Sequence, residues 1–260
     1  MKNGIVIPCY NEEQRLPVQE FNSFAQQNSD YVLCFVNDGS ADDTISVLKE
    51  IQSASPANVR IVDVEQNAGK ANAVTQGARD LYTYTQVQNI GFLDADLATD
   101  FNDYQALVNE LGSAKVVIGS RRGGAEQVER SFLRNLFSNT IKLMIQFITR
   151  LPIADTQCGA KVFSRSVIPT IFNQGFASKW LFDVEIFLRL KQSLGKKHLL
   201  QVFVEKPLQR WEEVEGSKLN LKDSLMIPYN LMSIWMQYVA AQYLTFELPS
   251  VEKQPSLSLN

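Results

Sequence analysis

Short apolar runs alternate with helix-spaced stretches along the first half of the chain, and each run stops at a polar loop. Ile5-Val6-Ile7 stops at Pro8. Tyr31 to Val36 ends at Asn37-Asp38-Gly39-Ser40, and Val59 to Val64 precedes Asn67-Ala68-Gly69-Lys70. Ile90 to Leu93 ends at Asp94-Ala95-Asp96, and Val116 to Ile118 at Gly119-Ser120-Arg121-Arg122. Brief runs rich in β-branched residues and bounded by turn signals predict buried strands. Helices are predicted between them, over Glu13 to Gln27, Asp42 to Ile51 and Gly69 to Tyr84. Strand and helix joined by short links form βαβ units, so the predicted fold is α/β with a mostly parallel central sheet flanked by helices. A longer helix is predicted from Arg130 to Thr149 and a late strand from Leu199 to Val204.

In a parallel sheet, ligands bind outside the carboxyl ends of the strands. The five polar loops therefore meet in one crevice, bringing acids, an aromatic ring, amides and arginines together. Asp94 and Asp96 stand one residue apart at a strand end. Mg²⁺ or Mn²⁺ held by one or two carboxylates completes its shell with substrate phosphates and water. Asp94 and Asp96 are thus the candidate metal ligands, and a phosphorylated, nucleotide-linked substrate is expected. Each loop also has a plainer reading as turn chemistry, and Arg121 as a surface charge.

Other classes are disfavoured. A net charge of −3 gives no broad positive field for nucleic acid. The single histidine, His198, argues against His-rich zinc sites and a His-based triad and fits a surface loop. Cys9, Cys34 and Cys158 are odd in number and far apart, which predicts reduced thiols in an intracellular protein. A strand pattern within four residues of Met1 predicts no signal peptide. Ser224 to Phe246 holds no charged residue but is interrupted by Pro228, Asn230, Gln237 and Gln242. A helix lying at a membrane interface or docked on the protein is favoured over a span.

The loops carry a resemblance. Ile7-Pro8-Cys9-Tyr10-Asn11-Glu12-Glu13, Asn37-Asp38-Gly39-Ser40 and Asp94-Ala95-Asp96 resemble, in order and spacing, the family-two glycosyltransferases of GT-A (Rossmann-like) fold. Asn67-Ala68-Gly69-Lys70, Gly119-Ser120-Arg121, Asp155-Thr156-Gln157-Cys158-Gly159, Phe182-Asp183-Val184-Glu185 and Trp211 to Lys218 look like the dolichyl-phosphate glucosyltransferase branch. The chain departs from the pattern at Asn37, where an aspartate is usual. It departs again at Ala98, where the mannosyl branch has a glutamine, and at Ala71, where a glycine is usual.

The resemblance implies a catalytic domain over residues 1–222, with an amphipathic helix at about 130–149. An apolar interfacial or docked helix would follow at 223–247 and a disordered tail at 248–260. It implies a nucleotide-sugar donor held by Pro8, Tyr10, Glu12, Asp38, Lys70, Asp94, Ala95 and Lys218. It implies a polyprenyl phosphate acceptor held by Arg121, Arg134 and Ser138, the last two one helical turn apart. Asp96, Arg121, Arg134 and Asp155 form the expected catalytic set, although Asp155 also suits a turn cap. Asp183 and Glu185 are further candidates at the sugar, with Glu185 equally able to pair with Arg189. The expected activity is inverting transfer of a hexose, glucose from UDP-glucose in the first instance, by a peripheral enzyme on the cytoplasmic membrane face. Rival readings are a same-fold enzyme acting on a sugar hydroxyl and a nucleotide-sugar-binding protein without turnover. A sugar nucleotidyltransferase is disfavoured, because the start lacks a glycine-rich phosphate loop.

Overall fold

A computed structural model describes residues 1–121, 132–211 and 221–240, with backbone alone at 132–139 and 221–225. The chain runs β1 (Lys2–Cys9), α1 (Val18–Gln27), β2 (Tyr31–Asp38), α2 (Thr44–Ala54), β3 (Val59–Val64), α3 (Lys70–Thr83), β4 (Val87–Leu93) and α4 (Phe101–Asn109). It continues through β5 (Val116–Ser120), α5 (Phe132–Thr149), β6 (Ala160–Ser164), α6 (Ile168–Phe172), α7 (Phe182–Leu194), α8 (Lys196–Gln201), β7 (Phe203–Pro207) and α9 (Leu221–Trp235). A π-helical turn, Met236–Ala240, comes directly after α9.

Among the described residues the seven strands form one sheet in the order β3-β2-β1-β4-β6-β5-β7. β6 runs antiparallel to both β4 and β5, while every other pairing is parallel. Six strands therefore point one way and end on one edge. β6 points the other way, so its beginning lies on that same edge. Helices cover both faces, which is why β2 is buried along its whole length. One apolar cluster joins the sheet to α3, α6 and α7, and another joins it to α1, α2 and α4. A third unites α5, α7 and α9 through Ile145, Ile148, Val184, Leu188, Leu231 and Ile234.

Four differences from the sequence reading have physical reasons. The first helix begins at Val18, not Glu13, because Leu16 and Arg15 turn back onto the Glu12 carbonyl and Pro17 disfavours helix before it. Strand β1 passes through Pro8 to Cys9. The β4 ladder ends at Val6–Phe92, so the missing proline N–H falls beyond it. The strand expected over Leu199 to Val204 is helix α8 followed by β7, with Gly195 at φ 76° separating α7 from α8. Finally, α4, β6, α6 and α7 arise in stretches to which no element was assigned.

Candidate active site

The first two loops of the carboxyl edge are laced together. Asn11 sits at φ 51°, its N–H donating to Ser40 Oγ at 3.0 Å while its Oδ1 accepts from the Ala41 N–H at 2.8 Å. The Glu12 N–H donates to Thr44 Oγ1 at 2.8 Å. The Tyr10 ring is partly open to solvent, while Glu12 is buried. Asn37 turns its amide onto Asp63 of β3, donating from Nδ2 to Oδ1 at 2.8 Å.

Asp38 organises the third loop. Its carboxylate accepts from the N–H groups of Ala68 at 3.1 Å and Gly69 at 2.8 Å, and from Asn67 Nδ2 at 3.1 Å. Gly69 needs its φ of 91° to turn the chain into α3, which starts at Lys70. Lys70 then reaches the fourth loop, where its Nζ stands 2.5 Å from Asp94 Oδ1. Burial disfavours the Lys70 charge, but Asp94, Asp183 and Asp96 outweigh it and raise its pKa.

The fourth loop is a tight turn. Leu97, at φ 50°, donates its N–H to the Asp94 carbonyl at 3.2 Å, and Asp96 Oδ1 accepts from the Ala98 N–H at 3.1 Å. Ala95 packs its methyl into the apolar cluster, so what it offers the crevice is backbone. Gly159, just before β6, lies against Asp94: a Cβ there would sit 2.1 Å from Asp94 Oδ2. No group of three or more His, Cys, Asp or Glu side chains clusters as a metal site among the described residues. Asp94 and Asp96 are two carboxylates on one turn, and Asp94 fits only because Gly159 has no side chain. That donor set fits a hard cation that takes its remaining ligands from phosphates and water.

On the far side, Arg121 forks onto Asp155. Nε and Nη2 donate to the two carboxylate oxygens at 2.7 and 2.8 Å, and the Arg121 N–H donates to Oδ2 at 3.1 Å. Burial opposes the Asp155 charge, but the Arg121 contacts outweigh it and hold the carboxyl below its ordinary range. Glu205 of β7 fixes the approach by accepting from the N–H groups of Ala154 and Asp155 at 2.8 and 2.7 Å. The pairing uses two of the five guanidinium N–H donors. Arg134 and Ser138 share α5 one turn apart, but their side chains lie outside the described residues, as does Lys218.

The structure adds Lys161, which the sequence reading missed. It is 0% exposed in β6, with Nζ 2.7 Å from Asp183 Oδ1 and donating to the Cys158 carbonyl at 2.5 Å. The available signal was a lone lysine within the apolar run Ala160 to Phe163. Asp183 also favours the charge on Lys70. Glu185 instead turns to its own loop, accepting from the N–H groups of Ala177 and Ser178.

The family model for glycosyl transferase family 2 matches residues 4–172. This chain belongs to glycosyltransferase family 2. It is an enzyme of that family in its GT-A fold. It is 32% identical to dolichyl-phosphate beta-glucosyltransferase of Drosophila melanogaster, over 96% of this chain and 79% of that protein. Its likeness to the Saccharomyces cerevisiae protein of the same name is 31%, over 92% of this chain and 76% of the relative. The fold is similar to that of Mycobacterium tuberculosis glucosyl-3-phosphoglycerate synthase, with a TM-score of 0.62 at 18% identity, covering 92% of this chain and 81% of the other. That synthase has been crystallised with Mn²⁺, uridine diphosphate and phosphoglyceric acid, and also with Mg²⁺ and uridine diphosphate.

Proposed function

We propose that this family 2 glycosyltransferase moves glucose from UDP-glucose onto a polyprenyl phosphate, with inversion, at a membrane surface. The observation that carries the reading is the Lys70–Asp94 contact, which brings a phosphate-binding cation and a cation-binding acid to one point of the crevice. The names of the Drosophila and yeast relatives supply the acceptor class, and the uridine diphosphate complexes of the synthase supply the donor class.

The acceptor phosphate oxygen attacks the anomeric carbon, the bond from that carbon to the diphosphate breaks, and UDP departs with the electron pair. Asp94 and Asp96 would hold a Mg²⁺ or Mn²⁺ ion, which when bound would supply neutralisation of the charge on the departing diphosphate. Lys70 adds an ammonium beside it, and Lys218 joins the donor phosphates. Tyr10, Pro8, Glu12 and Asp38 serve the nucleoside, Asp38 by shaping the 67–69 backbone.

The acceptor side favours a phosphate over a hydroxyl. A phosphate monoester has its second pKa near 6 and is largely dianionic at neutral pH, so it attacks without a general base. Asp155 is engaged by Arg121, which makes it a poor general base and suits an acceptor that needs none. Arg121 with Arg134 and Ser138 forms the phosphate clamp. The lipid has a surface to follow: Leu143 and Phe147 on α5 are 66% and 70% exposed, and Tyr229 and Met232 on α9 are exposed too.

Purified protein is assayed with radiolabelled UDP-glucose, UDP-galactose, UDP-N-acetylglucosamine and GDP-mannose against undecaprenyl and dolichyl phosphates, with and without EDTA. An EDTA-sensitive glucolipid that Arg134→Ala largely abolishes supports the proposal. Absence of lipid product with every donor defeats it. Transfer to sugar hydroxyls that survives Arg134→Ala moves the enzyme to the hydroxyl class.

A further inference from the structure

We infer that Tyr238, in the π turn after α9, is a positioning residue for the donor site, acting through Glu185 on the loop that seats the start of α3. This role rests on the donor function proposed for Lys70. Tyr238 is far along the chain from Lys70 and Asp94, yet each link between them is a contact in the structure.

The π turn places Met236 outward and Tyr238 inward. An extra residue in a helical turn rotates the residues beyond it, a change often found at functional positions. The Tyr238 hydroxyl donates to Glu185 Oε2 at 3.0 Å and accepts from Arg189 Nε at 2.9 Å. Gln192 Nε2 holds the Tyr238 carbonyl at 3.1 Å. Glu185 is 0% exposed. Its two oxygens accept from the N–H groups of Ala177 at 3.1 Å and Ser178 at 3.0 Å. Arg189 Nη1 donates to the carbonyls of Ile171 and Gln174 at 2.6 and 2.9 Å, and Nη2 to that of Gly175 at 2.5 Å. The α6–α7 connection is therefore strung on one acid and one base, and Tyr238 is the hydroxyl between them.

That connection seats α3. The Lys179 carbonyl accepts from the Ala71 N–H at 3.2 Å. The Lys179 stem lies across Gly69, so closely that a Cβ on Gly69 would sit 3.0 Å from it. Lys70, between these two contacts, is the residue that reaches Asp94. A full hydrogen-bond set holds a buried network in a single arrangement, and removing one partner loosens the rest. Tyr238 makes its hydrogen bonds to Glu185, Arg189 and Gln192, so its influence falls on how well the donor is seated.

The test is Tyr238→Phe, which keeps the ring and deletes the hydroxyl. UDP affinity is measured by calorimetry with Mn²⁺ present, and backbone amide exchange over 70–72 and 176–181 by mass spectrometry. The UDP Kd and the donor KM rise about three- to tenfold, the range spanned by losing one hydrogen bond. At saturating donor kcat holds, and exchange quickens in both segments. Should Tyr238→Phe fold poorly, Gln192→Ala frees the Tyr238 carbonyl and gives the same direction with a smaller size. Unchanged UDP affinity together with unchanged exchange in the two segments overturns the inference. A wild-type protein that binds no UDP defeats the donor reading instead, and the exchange result then decides this one.

Discussion

Gly159 and Asp155 show how single positions near one strand start control different properties. A methyl at residue 159 would occupy the space of Asp94 Oδ2. Gly159→Ala therefore displaces the carboxylate, and a shift of ~1 Å at a reacting centre costs about a hundredfold in rate. Turnover at saturating Mn²⁺ checks this, with the thermal midpoint as control. Asp155 acts on stability. Its folded pKa is depressed, so its contribution is present above the unfolded value of about 3.9 and is lost as pH falls through the folded pKa. Asp155→Asn is expected to cost about 1–3 kcal/mol at neutral pH, toward the low end because the Arg121 side chain is 34% exposed. The variant also loses part of the wild-type's destabilisation in acid. Thermal midpoints taken at pH 7 and at about pH 2 to 4 report both effects, and parallel curves in that acid range would rule out Asp155 as the source.

At the level of elements, the reversed strand β6 is pressed hard against β4. A Cβ at Gly91 would sit 2.1 Å from the Lys161 carbonyl oxygen and 2.3 Å from the Tyr104 hydroxyl. Backbone cannot yield as a side-chain tip does, so Gly91→Ala is expected to lose about 3 kcal/mol, the upper part of the overpacking range. Urea unfolding measures this, and an unchanged midpoint would show that β6 can slide. The strands that end in the first five loops were legible in the sequence because β1 to β5 are mostly apolar runs followed by turn residues. β6 was not, because Ala160-Lys161-Val162-Phe163-Ser164 is short and carries a lysine near its centre. That lysine is tolerated through the Cys158 carbonyl and through Asp183, a charged partner 22 positions away that no local pattern reveals. The same limit hid the Arg121–Asp155 fork: both residues stood out as candidates, yet their union depends on the direction of β6. Leu199 to Gln201 read as strand because its apolar run is too short to separate the two periods.

For the molecule as a whole, α5 and α9 pack on α7 with their inner faces and leave apolar residues outside. Among the described residues no helix is long and apolar enough to cross a membrane. Binding through the exposed face is expected if the protein works on a lipid. Phe147→Ser with Met236→Ser is expected to weaken co-sedimentation with phospholipid vesicles about tenfold or more, since burying one large apolar side chain is worth ~1.5–3 kcal/mol. UDP affinity is the companion measurement. Equal vesicle binding by variant and wild type would place the contact elsewhere.

The Arg121–Asp155 fork also marks two ends of one excursion. The chain leaves the sheet at Arg121, passes through α5, and returns at Asp155 to begin β6. The donor loops from Pro8 to Asp96 lie wholly before that departure. Closing a longer excursion costs little, because loop entropy grows only with the logarithm of length. The fork thus works as a clasp: the stretch between Arg121 and α5 can be lengthened without parting the two strand ends, while α5 itself stays anchored to α7 and α9. Under the donor and acceptor roles proposed above, the nucleotide half of the crevice would keep its form while the acceptor side changed.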